Sequence, residues 1–289
     1  MIGVLSQELL FIVFFEHHSS KATFNSPAIP ARNNMKILIT GHKGFIGSHL
    51  FKSLSVNHEL TGFDIGDSFP DGKYDAVIHL AARGLIRKSI EKPFDYFEDD
   101  LALTMKFLEI TRKNDSVLFF PSSGSATSPS NPYSLSKKQS VEWINLYRKL
   151  YSIKAFDMTF YNIYGSGSRK GGVYLFSKMA LSGGPITLLG NGNDIRDFVY
   201  VTDVVRFITS SINGKFRPGS YEIGTGVGTS IRELAEMISE EVGGGLQINM
   251  EPDVIETAPR LVASSPALTT FIPLREGVKL VMNFIREED

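Results

Sequence analysis

Three sets of residues have types and spacings that could do chemistry. Gly41-His-Lys-Gly44-Phe45-Ile46-Gly47 sets three glycines three positions apart. Glycine allows a tight turn, a close approach to a pyrophosphate, and packing of a helix on a strand. A helix N-terminus then offers free N–H groups and the positive end of its dipole to phosphate. Asp64 lies 23 residues after Gly41, where a carboxylate can accept hydrogen bonds from an adenosine ribose. The plainer alternative is a tight strand–helix turn with a surface aspartate. Tyr133 and Lys137 in YSLSK stand four apart and share one face if the stretch is helical. An ammonium there favours the phenolate and lowers a phenol pKa from about 10 towards working pH. Tyr-x-x-x-Lys alone is common on ordinary amphipathic helices. Ser122-Ser123 just upstream changes the reading, because parallel sheets bind ligands at the carboxyl ends of their strands.

The elements needed to position these groups are legible around them. Lys36–Thr40 (KILIT) is a short apolar run suited to a strand buried on both faces, and Phe45–Leu54 carries apolar residues at helical spacing. Strands are expected at Glu59–Phe63, Asp75–Leu80, Ser116–Phe120 and Phe156–Tyr161, with helices at Pro93–Lys113 and Tyr133–Leu150. Such alternation predicts an α/β fold, a Rossmann-type doubly wound parallel sheet. The second half is less regular. Helices at Tyr174–Leu181 and Ser230–Val242 and strands near Ile186–Leu189 and Phe198–Val201 point to a smaller, partly interleaved C-terminal substrate domain. The expected division is a dinucleotide-binding domain over 35–164, with a return near 194–212, and a mainly substrate-binding domain over 165–289.

Residues 1–34 stand apart. Leu9–Phe15 is apolar but only about a third of a membrane span. Ser19–Asn34 is rich in Ser, Pro, Ala and Asn without any period. This stretch is expected to be a disordered extension or a mis-assigned start with Met35 as the real beginning; a short partner-binding or membrane-touching helix is the alternative. Thirty basic against 31 acidic residues give a net charge of −1, which offers neither nucleic acid nor an anionic membrane a reason to bind. With no cysteine there is no disulfide, thiolate metal site or thiol nucleophile, and the six histidines show no zinc-ligand spacing, so no metal is expected.

GHKGFIG, Asp64, HLAA (His79–Ala82), Ser122-Ser123, YSLSK, YNIYG (Tyr161–Gly165), RDFVYV (Arg196–Val201) and YEIGTG (Tyr221–Gly226) follow one another in a single order. Together, from Met35 to the C-terminus, they resemble the NAD-dependent epimerase/dehydratase family of extended short-chain dehydrogenases. The resemblance implies Tyr133 as catalytic acid/base, Lys137 as holder of the nicotinamide ribose, and Ser123 as hydrogen-bond partner of the reacting hydroxyl. It implies cofactor contacts at Gly41, Lys43, Gly44, Phe45, Ile46, Gly47, Asp64, Leu80, Ala81, Ala82 and Ser122, besides Tyr133 and Lys137. Asn162 and Arg196 would hold the substrate with Ser123; Arg196 resembles the arginine that clamps a substrate diphosphate, a bidentate task suited to guanidinium. An ion pair with Asp194 or Asp197 is the other reading of Arg196. Arg260, in APRLVA, is a second candidate clamp. The implied substrate is a nucleotide-diphosphate sugar. A cytoplasmic location and a homodimer through the helices near 94–113 and 133–150 are further expectations.

Departures from the family narrow the chemistry. Ten residues separate Asp64 from Asp75, too few for a crossover helix and another strand, so Glu59–Phe63 should be a sheet edge with a shallower adenine site. Nine residues lie between Ser123 and Tyr133, where the family carries a longer loop; Asp100 stands in place of an Asn and Thr159 in place of an Arg. A 4,6-dehydratase needs an Asp–Glu pair after the Ser, and Gly124-Ser125 occupies those places. A fucose-synthase-type reaction needs a cysteine acid. A 4-epimerase working through a transient 4-keto sugar is therefore expected, with a 4-ketoreductase or a non-catalytic NAD-binding sensor as alternatives. Asp64 favours NAD over NADP, while Lys43 could receive a 2′-phosphate.

Overall fold

A computed structural model describes residues 32–252 and 258–288. Of the N-terminal stretch 1–34, residues 1–31 lie outside the described residues. The first half runs β1 (Lys36–Thr40), α1 (Phe45–Leu54), β2 (Glu59–Phe63), β3 (Ala76–His79), α2 (Ile86–Glu91), α3 (Pro93–Tyr96), a π-helical turn (Phe97–Ala102), α4 (Leu103–Asn114), β4 (Val117–Ser123), a 3₁₀ turn (Gly124–Thr127), α5 (Pro132–Tyr151) and β5 (Lys154–Phe160). The second runs β6 (Asn162–Tyr164), α6 (Gly171–Leu181), β7 (Ile186–Leu189), β8 (Ile195–Tyr200), α7 (Val201–Ile212), β9 (Gly219–Ile223), β10 (Gly228–Ser230), α8 (Ile231–Glu241), β11 (Ile248–Glu251), β12 (Arg260–Leu261) and α9 (Leu274–Glu288).

The central sheet has the order β2-β1-β3-β4-β5-β9, and every pairing in it is parallel. Among the described residues β2 is an edge, as the short connection to Asp75 requires. Ile37, Leu38 and Ile39 of β1 are fully buried because helices cover both faces of the sheet. Each such side chain contributes about 1.5–3 kcal/mol by leaving water. Ile37 and Ile39 face one layer, which α1 and α7 complete through Leu50, Val204 and Ile208. Leu38 faces the other, which α4 and α5 complete through Phe107, Leu108 and Ile144. A second cluster joins α6, α8 and α9 through Phe176, Leu234 and Val281.

The helix expected over Pro93–Lys113 is not continuous. Helix starts at Ile86, and the π turn at Phe97–Ala102 interrupts the run. That wider turn carries Asp100 into the interior, where its Oδ1 accepts the Arg83 N–H at 2.7 Å. Strand limits move by one to three residues: Ala76–His79, Val117–Ser123, Lys154–Phe160 and Ile195–Tyr200. Ser230 is the N-cap of α8, sharing a reciprocal capping box with Glu233. No helix among the described residues is long and apolar enough to cross a membrane.

Candidate active site

The β1–α1 turn leaves no room for a side chain at Gly41 or Gly47. Gly41 has φ +71°, and a Cβ there would meet Ala81 N at 2.9 Å; a Cβ on Gly47 would stand 2.1 Å from Gly41 O. Phe45 and Ile46 open α1, whose first turn holds no acidic residue and no side-chain cap. Free N–H groups facing a Cβ-less surface suit a pyrophosphate, so these residues fit a dinucleotide. Asp64 closes the adjoining wall: its Oδ2 accepts the Lys43 N–H and its Oδ1 the Ile65 N–H, both at 2.9 Å. The Lys43 ammonium reaches Asp67 Oδ1 at 3.1 Å.

A directed chain of hydrogen bonds ties this cradle to the π turn. Ala81 N–H donates to Thr40 Oγ1 at 3.0 Å, and Thr40 Oγ1 lies 2.8 Å from His79 Nδ1. His79 Nε2 lies 3.1 Å from Thr104 Oγ1, which itself donates to the Asp100 carbonyl. Because Thr104 spends its proton on that carbonyl, His79 must donate from Nε2 and accept at Nδ1. Burial, reinforced by the charge of Lys137, pushes His79 down to about 3, so it stays neutral. Leu80, Ala81 and Ala82 follow β3 directly and are held beside Gly41 by this chain.

Ser122 and Ser123 end β4. The side chain of Asn131 accepts the Ser134 N–H at 2.9 Å and, with Pro132 at the first helical position, starts α5. That start sets Tyr133 beside Ser123, whose side chain favours the phenolate. Ser123 Oγ is 3.0 Å from Ser125 Oγ, which Ser134 Oγ reaches at 2.9 Å. One turn along, Lys137 is 5% exposed, with its ammonium 4.7 Å from the centre of the Phe120 ring. Sequence spacing thus brings Ser123, Tyr133 and Lys137 to one place. Burial rather than the Lys137 charge dominates at Tyr133 and pushes its phenol up to about 12. The Ser123 side chain opposes this, and Asp100 and Tyr96 add to it. Burial likewise lowers Lys137, while Asp100 supports its charge. Asp100 itself is raised by burial and held down by Lys137, the Arg83 N–H and Ser136.

Beside Ser123 opens a cleft lined by Ser125, Thr127, Ser130, Asn162 and Arg196. Arg196 borders the cleft, and its Nη2 lies 2.6 Å from Asp194 Oδ2, the ion pair of its other reading. Asn162 Nδ2 donates to the Asp197 carbonyl at 3.3 Å. Arg260 is not brought to the cleft. It is exposed on β12 with its guanidinium against Gly228, while its neighbours Ala258 and Leu261 line the cleft.

Asp197 does more than its sequence reading as a partner for Arg196 allows. It is fully buried and turns to backbone: its oxygens accept Thr225 N–H, Gly226 N–H and Ala263 N–H at 2.9–3.2 Å, and Thr225 Oγ1 at 2.6 Å. It thereby clips two distant segments, Thr225-Gly226 and Ala263, to β8. The sequence holds a signal for this, since an acid beside the apolar run FVYV is rarely buried without partners. Glu222, on β9 of the central sheet, acts similarly, accepting Tyr161 Oη at 3.1 Å and Ser265 N–H at 2.5 Å.

A glycine cradle on a parallel sheet, with Ser, Tyr and Lys at the carboxyl end of β4, defines a dinucleotide-dependent oxidoreductase-type enzyme. The profile of the NAD dependent epimerase/dehydratase family matches residues 37–224, and the chain belongs to that family. NAD is accordingly its cofactor. A Methanocaldococcus jannaschii protein, provisionally named a UDP-glucose 4-epimerase, is 32% identical over 305 residues, covering 88% of this chain and 99% of that one. The UDP-glucose 4-epimerase of Thermus thermophilus, solved with NAD, is 25% identical with a TM-score of 0.76 over 87% of this chain and 99% of its own. The UDP-N-acetylglucosamine 4-epimerase of Methanobrevibacter ruminantium, solved with UDP-N-acetylmuramic acid, shares the fold at a TM-score of 0.80 and 19% identity. The match covers 89% of this chain and all of that one.

Proposed function

We propose that the protein is a nucleotide-sugar 4-epimerase acting through a transient 4-keto sugar, with Ser123, Tyr133 and Lys137 as its catalytic set. The observation that carries this reading is the meeting of Ser123, at the end of β4, with Tyr133 at the start of α5, one turn before the buried Lys137, and the Gly124-Ser125 that follows Ser123 in place of an acid pair. A bound NAD, held by the Gly41–Gly47 cradle, would supply the hydride acceptor and donor for C4 and a positive charge that favours the phenolate of Tyr133. Tyr133 takes the proton of the 4-hydroxyl as the ketone forms and gives it back when the opposite epimer is made. Ser123 holds that oxygen in both directions, and Lys137 supplies a positive charge one helical turn from Tyr133. Arg196 and Asn162 face the diphosphate and sugar from the cleft wall, with Arg260 a weaker candidate outside it. The net reaction is redox-neutral, which suits a tightly kept cofactor and distinguishes it from a ketoreductase.

The relatives named for UDP-sugar 4-epimerisation support a UDP-sugar as substrate. Residues 35–164 with the return at 194–212 are read as the dinucleotide-binding domain, and 165–289 as mainly the substrate domain. Exposed Leu135, Trp143 and Leu146 on α5, with Phe94 and Phe97 near the π turn, support a homodimer through these helices. A cytoplasmic location fits the nucleotide-sugar chemistry. The test is to identify the released cofactor by mass spectrometry and then incubate the protein with UDP-glucose, UDP-N-acetylglucosamine and UDP-glucuronate without added cofactor. Inversion at C4 of at least one is expected. Turnover only with stoichiometric consumption of a reduced cofactor would establish the ketoreductase instead, and NAD binding without any turnover the sensor.

A further inference from the structure

Lys43 is the residue that argues for NADP: a cation inside the glycine loop, beside the carboxylate that ends β2. Its ammonium is nevertheless spoken for. Asp67 Oδ1 stands 3.1 Å and Oδ2 3.5 Å from Lys43 Nζ. Asp67 is not a wandering surface acid. Its Oδ2 accepts the Asp64 N–H at 2.8 Å, and its own N–H donates to the Asp64 carbonyl at 3.0 Å. Gly66, at φ +89°, lets the chain close this turn. The Lys43–Asp67 interaction lowers the Asp67 pKa, keeping the acid charged.

We propose that Asp67 is a cofactor-specificity residue, which occupies the Lys43 ammonium and adds a second negative charge beside Asp64, so that a 2′-phosphate is rejected. The argument rests on position rather than on the strength of an exposed ion pair, which is small. Lys43, Asp64 and Asp67 together carry one net negative charge; without the Asp67 charge they carry none, and a cation faces the ribose edge. A doubly charged phosphate responds to that difference twice over. The shortened connection from Asp64 to Asp75 concentrates the effect. Among the described residues no strand lies outside β2, so this turn forms the edge of the adenosine side. The inference takes NAD as cofactor from the family and explains how this chain enforces it.

The experiment is equilibrium titration of the purified protein with NAD and with NADP, read by calorimetry, for wild type, Asp67→Asn, Lys43→Met and the double variant. Asn keeps the oxygen that accepts the Asp64 N–H, so the turn is retained. The preference for NAD over NADP should fall by about tenfold in Asp67→Asn, the scale expected for removing one unit charge near a phosphate dianion in water. The gain should vanish in the double variant, because Lys43 is what Asp67 restrains. An unchanged preference in Asp67→Asn, or a gain that persists without Lys43, overturns the proposal. Wild type that binds NADP more tightly than NAD overturns it too, and does so by way of the cofactor rather than the residue.

Discussion

Between Met35 and Phe160 the chain lays successive strands close to one another: β1 pairs with β2 and β3, and β4 with β3 and β5. Beyond Tyr161 the strands are two to six residues long, and β8 collects partners from β6, β10 and β12 that are remote in sequence. The first region is held by apolar layers on both faces of one sheet. The second draws its cleft together with two acids, buried Asp197 accepting from Thr225, Gly226 and Ala263, and half-buried Glu222 from Tyr161 and Ser265. On the proposed assignment, cofactor binding and chemistry fall to the first region, a single layered slab, and substrate binding to the second, an assembly of separately anchored loops. Substitutions in the two regions should fail in different ways.

The largest effect is expected within the slab. Tyr133→Phe should lower turnover by at least about a hundredfold, the scale of losing a general acid/base, while NAD titrates as before. Activity within a few-fold of wild type would take Tyr133 out of the mechanism. In the second region Asp197→Asn leaves one oxygen to serve three backbone donors, and charge-assisted hydrogen bonds are worth about 1.5–3 kcal/mol each. Its thermal midpoint should drop by about 5–10 °C, and KM for the sugar nucleotide should rise more than kcat falls. A midpoint and KM equal to wild type would show that the clip does not hold the cleft.

This contrast also explains what the sequence displays. β1, α1 and β2 are read to the residue because their apolar spacing, glycines and partners are local. α2 and the π turn escape such a reading: the acidic run Glu98–Asp100 looks like a solvated helix face, and nothing local says that Asp100 turns inward to the Arg83 N–H. Helices α7 and α9 are absent from the sequence reading although Val201, Val204 and Ile208, and Val278, Val281 and Ile285, carry the helical period. β10 and β12 are too short for any period, and only their register with β8 makes them strands. Ser123, Tyr133 and Lys137 are legible because one loop and one helical turn join them. The role of Asp197 is not, since its partners lie 28 to 66 residues away.

The smallest effect sharpens the comparison from the slab side. Asp100 is a buried carboxylate whose charge raises Tyr133 and supports Lys137. Asp100→Asn removes that charge, so the phenol and the ammonium should both lose their protons more easily. The acid limb of the pH–rate profile should then move to lower pH, with the thermal midpoint little altered. A limb that stays in place, or moves to higher pH, would show that Asp100 is uncharged when the enzyme works.

The central claim is that hydride leaves and returns to the same carbon within one enzyme-bound cycle, and deuterium at C4 of the substrate reports on it directly. A UDP-hexose labelled at C4 and shown to be turned over should give the C4 epimer with the deuterium still on C4, detected by NMR, and with no net reduced cofactor. Label lost to water, or delivered to free cofactor in proportion to product, would contradict the account.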